Sequence, residues 1–271
     1  MQTPFVRALA CLCLGATFLA AAVPRPNIVL FLADDLGWAD APWHGSTDSL
    51  PHLTKLAREG VRLEAHYVHP MCSPTRAALL SGRYASRFGV TAAQNQRAYP
   101  WETVTLASAL KAAGYETALV GKWHLGSRPS EGPQKFGFDH GYGSLAGGVT
   151  PYTHRYKAGE FSVTWHRNGQ LLEEEGHVTD LLAREAVRWV EQRGSQPFFL
   201  YLPFTAIHVP IDEADKWLQA NARITDPARR LRAACSSHMD DTIGQVLAAL
   251  ERKHLRDNTL VLFLSDNGAH P

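Results

Sequence analysis

Four short apolar runs limit what this chain can fold into: residues 27–33 (NIVLFLA), 117–120 (TALV), 198–202 (FFLYL) and 259–264 (TLVLFL). Each is continuous rather than alternating. That pattern marks strands buried on both faces, and such strands belong to parallel sheets covered by helices. Helical patterns fall between them. Residues 51–59 open on Pro51 and close at Gly60, 105–113 end at Gly114, 177–193 end at Gly194, and 230–253 carry apolar residues at helical spacing. Strands alternating with helices predict an α/β fold, a largely parallel central sheet flanked by helices. Residues 126–176 are rich in Gly, Pro and Tyr and weakly periodic, and they read as a long excursion lining one end of the sheet.

In open α/β sheets, sites form beyond the carboxyl ends of the strands. Asp34 and Asp35 follow the first run, Lys122 and His124 the second, His208 the third, and Asp266 and Asn267 the fourth. This repetition predicts one site assembled from distant parts of the chain. Asp34, Asp35, Asp266 and Asn267 offer carboxylate and amide oxygens, a hard-oxygen set suited to Ca²⁺ or Mg²⁺. Each motif alone has a plainer reading. Asp-Asp at a strand end caps a helix or turn, Asp-Asn-Gly makes a tight turn, and Lys122 with His124 is a loop-surface pair.

Cys72-Ser73-Pro74-Thr75-Arg76 is the most specific segment. Pro74 fits the first turn of a helix, where its missing N–H costs nothing. Cys72 then sits at or just before the helix N-terminus, where free N–H groups and the helix dipole stabilise anions. With Arg76 beside it, the thiol is expected to be acidified. The alternatives are a buried structural cysteine or a disulfide with Cys235.

Residues 1–22 read as a signal peptide: Arg7, an apolar stretch from Ala8 to Leu19, and Ala20-Ala21-Ala22 as the cleavage site. The apolar stretch is too short for a stable membrane anchor, and Pro24 and Pro26 follow it. Cys11 and Cys13 would leave with this leader, so the mature chain is no disulfide scaffold. The expected location is the secretory route: secreted, periplasmic or lysosomal. A net charge of +1 gives no reason to expect a nucleic-acid partner.

Together these segments resemble the type I sulfatase family, closest to arylsulfatases of the B type. The likeness rests on RPNIVLFLADDLGW, on CSPTRAALLSGR against the signature C-x-P-[ST]-R, on LVGKWHLG, on AIHVP and on LFLSDNG, in the family's order. It implies an alkaline phosphatase-like fold, with residues 23–271 as the catalytic domain and its C-terminal part missing. It implies hydrolysis of aryl or carbohydrate sulfate esters. Cys72 would be oxidised to formylglycine by a formylglycine-generating enzyme, and one Ca²⁺ would be held by Asp34, Asp35, Asp266, Asn267 and the modified Cys72. By the same resemblance, Arg76 holds the modified side chain, Lys122 and His208 contact the sulfate or leaving-group side, and His124 meets the second hydroxyl of the hydrated aldehyde. His208, with an ordinary pKa near 6.5, is the expected general acid. A further lysine that the family supplies after Asp-Asn-Gly has no counterpart before Pro271. The alternatives are a phosphonate or phosphate monoester hydrolase of the same superfamily and a catalytically silent secreted binding protein. Tyr152, His154, Tyr156 and Trp165 are candidates for a sugar-binding cleft, against a plain packing role.

Overall fold

The computed structural model describes residues 25–269; the leader reading, with Cys11 and Cys13, lies outside them. Strands β1 (Asn27–Ala33), β2 (Glu116–Lys122), β3 (His140–Ser144), β4 (Trp165–Arg167), β5 (Gln170–Leu171), β6 (Phe198–Pro203) and β7 (Thr259–Ser265) form one sheet in the order β5-β4-β3-β2-β6-β1-β7. β1 pairs in parallel with β6 and β7, and β2 with β6 and β3. The antiparallel pairings are β3 with β4 and β4 with β5, so β4 alone runs against the rest. The sheet is thus mixed and mostly parallel, as the apolar runs predict.

Helices cover both faces: α1 (Pro51–Glu59), α2 (Cys72–Ser81), α3 (Leu106–Ala112), α4 (Val178–Glu191), α5 (Asp215–Ala220) and α6 (Pro227–Arg252). Alternate residues of β1 part between two cores. Val29, Phe31 and Ala33 join Leu53 of α1, Leu181 and Leu182 of α4, and Met239 and Ile243 of α6. Leu30 and Leu32 join Ala77 and Leu80 of α2, Ala107 of α3, and Phe136 and Phe138. That is why β1, β2 and β6 do not alternate: both faces exclude water, and each large side chain stabilises the fold by roughly 1.5–3 kcal/mol. β7, also expected to be buried on both faces, is instead partly exposed. Helix starts follow local chemistry. The Thr105 hydroxyl and Ser108 form a capping box on α3, and the Asp226 carboxylate accepts from Arg229 N–H ahead of Pro227. α4 stops at Glu191, short of Gly194.

The stretch 126–176 corrects the sequence reading. It is not only a lining excursion, since it contributes β3, β4 and β5 to the sheet. β3 reads HGYGS, and glycine is depleted in strands. The glycines serve close approach instead. A Cβ on Gly143 would stand 2.3 Å from the Gly121 carbonyl oxygen, and one on Gly121 would stand 1.8 Å from that of Pro203. Neither position can hold a side chain, so β3, β2 and β6 draw together at their carboxyl ends. At the other edge, Leu260 and Leu262 of β7 are 50% and 41% exposed. No helix among the described residues is long and apolar enough to cross a membrane.

Candidate active site

The carboxyl ends of β1, β2 and β7 bring Asp34, Lys122 and Asp266 together. Backbone bonds continue the sheet past its strands: Asp34 N–H donates to the Ala206 carbonyl (2.8 Å), Ile207 N–H to that of Asp34 (2.6 Å), and Asp266 N–H to that of Ala33 (3.0 Å). Asp35 takes a left-handed backbone (φ 64°), which Asp tolerates better than most residues, and so turns its carboxylate back toward Asp266 and Asn267. Among the described residues, Asp34, Asp35 and Asp266 form a buried group whose carboxylate oxygens lie within 4.8 Å of one another.

Asp34, Asp35 and Asn267 each use one polar atom for anchoring, while Asp266 uses both oxygens, its Oδ1 accepting from Asp35 N–H (3.3 Å). Lys122 Nζ donates to Asp34 Oδ2 (2.5 Å), Asn267 Nδ2 to Asp35 Oδ1 (2.6 Å), and Arg76 Nε and Nη2 to Asp266 Oδ2 (3.0 and 2.8 Å). The other side remains bare: Asp34 Oδ1, Asp35 Oδ2 and Asn267 Oδ1 are buried without hydrogen-bond partners. Leaving such oxygens unpaired costs on the order of 1–3 kcal/mol apiece. Converging, buried and unpaired hard oxygens fit a divalent cation of the Ca²⁺ type. Burial, with Asp266 adding to it, pushes the Asp34 carboxyl up despite Lys122 and Arg76. A divalent cation would oppose that shift. The loop-surface reading fails here: Lys122 is 0% and His124 3% exposed.

Cys72 is the first residue of α2, as expected, with Met71 as its N-cap. It is free, and so is Cys235, which rules out the disulfide. The expected acidification does not occur. Burial raises the Cys72 thiol pKa, with Asp34 and Asp266 adding to it, and Lys122 and Arg76 do not outweigh them. As a thiol, then, this group is a poor nucleophile at neutral pH. Arg76 is wholly buried among carboxylates and is held charged, Asp266 countering the cost of burial. Its Nη1 also donates to the Lys122 carbonyl (2.9 Å), tying α2 to the end of β2.

The two site histidines differ. His124 adopts φ 55°, packs its ring against Gly147, where a Cβ would meet Nε2 at 2.4 Å, and leaves Nδ1 buried and unpartnered. Burial, then Lys122 and Arg76, pushes its pKa well below the ordinary histidine value. His208 is partly exposed, with Nδ1 bonded to the Val209 carbonyl (2.5 Å). Its pKa is also lowered from 6.5, by burial and then Lys122, which corrects the ordinary value expected from sequence.

Three features escaped sequence reading. Ser73, the variable position of Cys-x-Pro, is wholly buried; its hydroxyl accepts from Gln94 N–H (3.1 Å) and donates to the His124 carbonyl (3.2 Å). Gly147 and Gly148 pack on the rings of His124 and His208, although Gly-Gly alone reads as a turn. Tyr201 lies fully buried, its hydroxyl without a partner of good geometry, close enough to Arg76 to feel its charge. The proposed sugar-cleft aromatics divide. Trp165 and His154 are buried and stacked on each other (4.8 Å), a packing role, whereas Tyr152 is 44% exposed.

The comparisons agree with this geometry. The chain is 34% identical to arylsulfatase J of Mus musculus over 263 residues, 93% of this chain and 44% of that protein. It is 36% identical to N-acetylgalactosamine-6-sulfatase of Homo sapiens over 276 residues, 92% of this chain and 51% of that protein. It thus spans about half the length of these curated relatives. Among solved structures, Ps i-CgsB in complex with k-i-k-neocarrahexaose superposes with a TM-score of 0.83 at 34% identity, covering 90% of this chain and 59% of that one. The phosphonate monoester hydrolase of Agrobacterium radiobacter shares the fold, with a TM-score of 0.62 at 18% identity, covering 90% of this chain and 63% of that one. The Sulfatase family matches residues 26–271, and the chain belongs to it.

Proposed function

We propose that the protein hydrolyses sulfate esters through a formylglycine made from Cys72, at a site that takes Ca²⁺. The observation that carries this reading is the set of unpaired buried oxygens on Asp34, Asp35 and Asn267, in the same buried cluster as Cys72, Arg76 and Lys122. A soft thiolate is a poor ligand for such a hard cation, whereas the diol of a hydrated aldehyde is a good one. Burial also raises the thiol pKa, so the unmodified group is largely un-ionised and a weak nucleophile.

Ca²⁺ bound by Asp34, Asp35, Asp266 and Asn267 would supply charge that polarises the sulfate, and the diol would supply the attacking oxygen. The remaining work falls to this chain's side chains. With all three ionised, the carboxylates exceed the two fixed cations, Arg76 and Lys122, by one negative charge. A divalent cation reverses that balance to one positive, which matches a monoanionic sulfate ester. Arg76 keeps Asp266 oriented, and Lys122 keeps Asp34 oriented while presenting charge toward the substrate side. His124, held neutral by burial, has a free Nδ1 to take a proton from the diol. His208, at the more open side, gives a proton to the leaving alcohol oxygen. Secretion, and aryl or carbohydrate sulfates as substrates, belong to this same reading.

The test is turnover by the full-length protein, matured with a formylglycine-generating enzyme. Aryl sulfate hydrolysis should fall by at least about 10⁴-fold in Cys72→Ala. Retained activity would show that another group attacks, and preferential cleavage of an aryl phosphonate would transfer the assignment to the phosphonate hydrolases.

A further inference from the structure

A second cluster of metal-ligating side chains lies where the start of α4 meets α6. His177 caps α4, Asp180 stands in its first turn, and His238 comes from α6. One ligand atom from each falls within 4.8 Å of the others. His238 Nε2 is 3.1 Å from Asp180 Oδ1, while its Nδ1 is 2.9 Å from Glu213 Oε2. His177 Nε2 bonds to the Asp212 carbonyl (3.0 Å), which makes it the protonated nitrogen, and lies 3.6 Å from Glu213 Oε1. The lone pair of His177 is therefore on Nδ1, where it caps α4 by accepting from Thr179 N–H (3.2 Å), a bond that an incoming metal ion displaces. The Glu213 side chain is 0% exposed, and its Oε1 has no hydrogen-bond partner.

We propose that His177, Asp180 and His238 bind a zinc ion, with Glu213 as the buried carboxylate behind the two imidazoles. Two imidazole nitrogens and one carboxylate make a borderline donor set, which favours Zn²⁺ over Ca²⁺ or Mg²⁺. Ligands at about 2.0–2.1 Å in a tetrahedron stand about 3.3 Å apart, close to the His238–Asp180 separation. His238 already shows the outer arrangement of a zinc histidine, one nitrogen on a carboxylate and the other facing a second ligand. Trp217 stacks on its ring (4.8 Å) and fixes the plane. The Asp180 side chain is 56% exposed, so the ion can enter from solvent and water can fill the fourth position. His177 and Glu213 line the same small cavity as Thr205 and His208, so the ion would pin the segment that carries His208 between α4 and α6. The competing arrangement is a metal-free ion cluster in which both His238 nitrogens donate to carboxylates.

The test uses the full chain stripped with chelator and then saturated with Ca²⁺, so that the hard-oxygen site is filled. Zn²⁺ is titrated calorimetrically, and Co²⁺ is followed through its visible bands. One equivalent of zinc at micromolar affinity or tighter and a four-coordinate cobalt spectrum are expected. Asp180→Asn, an exposed and conservative change, should weaken zinc at least tenfold, and Glu213→Gln by about 10–100-fold. No zinc uptake by the wild type, or equal uptake by Asp180→Asn, overturns the proposal in favour of the metal-free cluster. Because metal binding is read directly, either result leaves the sulfatase reading independently testable.

Discussion

Asp34, Asp35 and Asn267 show how single residues make this site: each spends one polar atom on a neighbour and turns the other, unpaired, toward the others. Ser73 acts at the same scale but through backbone. Its hydroxyl couples the first turn of α2 to the His124 carbonyl and to the loop at Gln94. Ser73→Ala should lower kcat roughly tenfold, the worth of one buried hydrogen bond, with KM nearly unchanged and Ser73→Thr partly restoring it. Steady-state kinetics of the matured protein decides this. His208 gives a pH prediction. Burial and Lys122 lower its pKa, so its protonated form persists only at pH below about 6.5. For an alkyl or sugar sulfate, whose leaving oxygen needs a proton, kcat should fall as pH rises through that shifted value. For an aryl sulfate with an acidic phenol the fall should vanish. Equal limbs for both substrates would remove His208 as the acid. Strand ends advertise Asp34, Lys122 and Asp266 in the sequence, because that is where α/β sheets place chemistry. Nothing advertises Ser73, whose role is carried by contacts 21 and 51 residues away.

At the scale of elements, apolar continuity located β1, β2, β6 and β7, and Pro and Gly punctuation located α1 to the residue. β3 was hidden because its glycines answer to Gly121 and Gln134 across the interface rather than to strand propensity. Its attachment to α4 rests on Glu185, which takes His140 Nε2 (2.8 Å), Arg167 Nη1 (2.6 Å) and Arg188 Nη2 (2.5 Å). Burial favours the protonated acid, but these three partners outweigh it and hold the carboxyl far below its usual range. Glu185→Gln should destabilise the fold by about 1–2 kcal/mol, the two arginines being partly screened by solvent. Because the folded pKa is depressed, that contribution is complete above about pH 4.3 and fades as pH falls toward the folded value. Urea midpoints of wild type and variant should therefore differ at pH 7 and converge in acid; a constant difference would mean the charge is not what binds these elements.

For the whole molecule, a mostly parallel sheet between two helix layers gathers residues from Asp34 to Asn267 at the carboxyl ends of its strands, so the site needs β1, β2 and β7 in place together. The chain spans about half of its curated relatives, and β7 ends the sheet with Leu260 and Leu262 partly exposed. Activity therefore belongs to measurement on the full-length protein, but the identity of the nucleophile does not depend on turnover. Trypsin should release residues 63–76, which contain Cys72. Mass spectrometry of that peptide, from protein produced alongside a formylglycine-generating enzyme, should show a species about 18 Da lighter than the thiol form. An entirely unmodified cysteine from a host that converts other sulfatases would contradict the account.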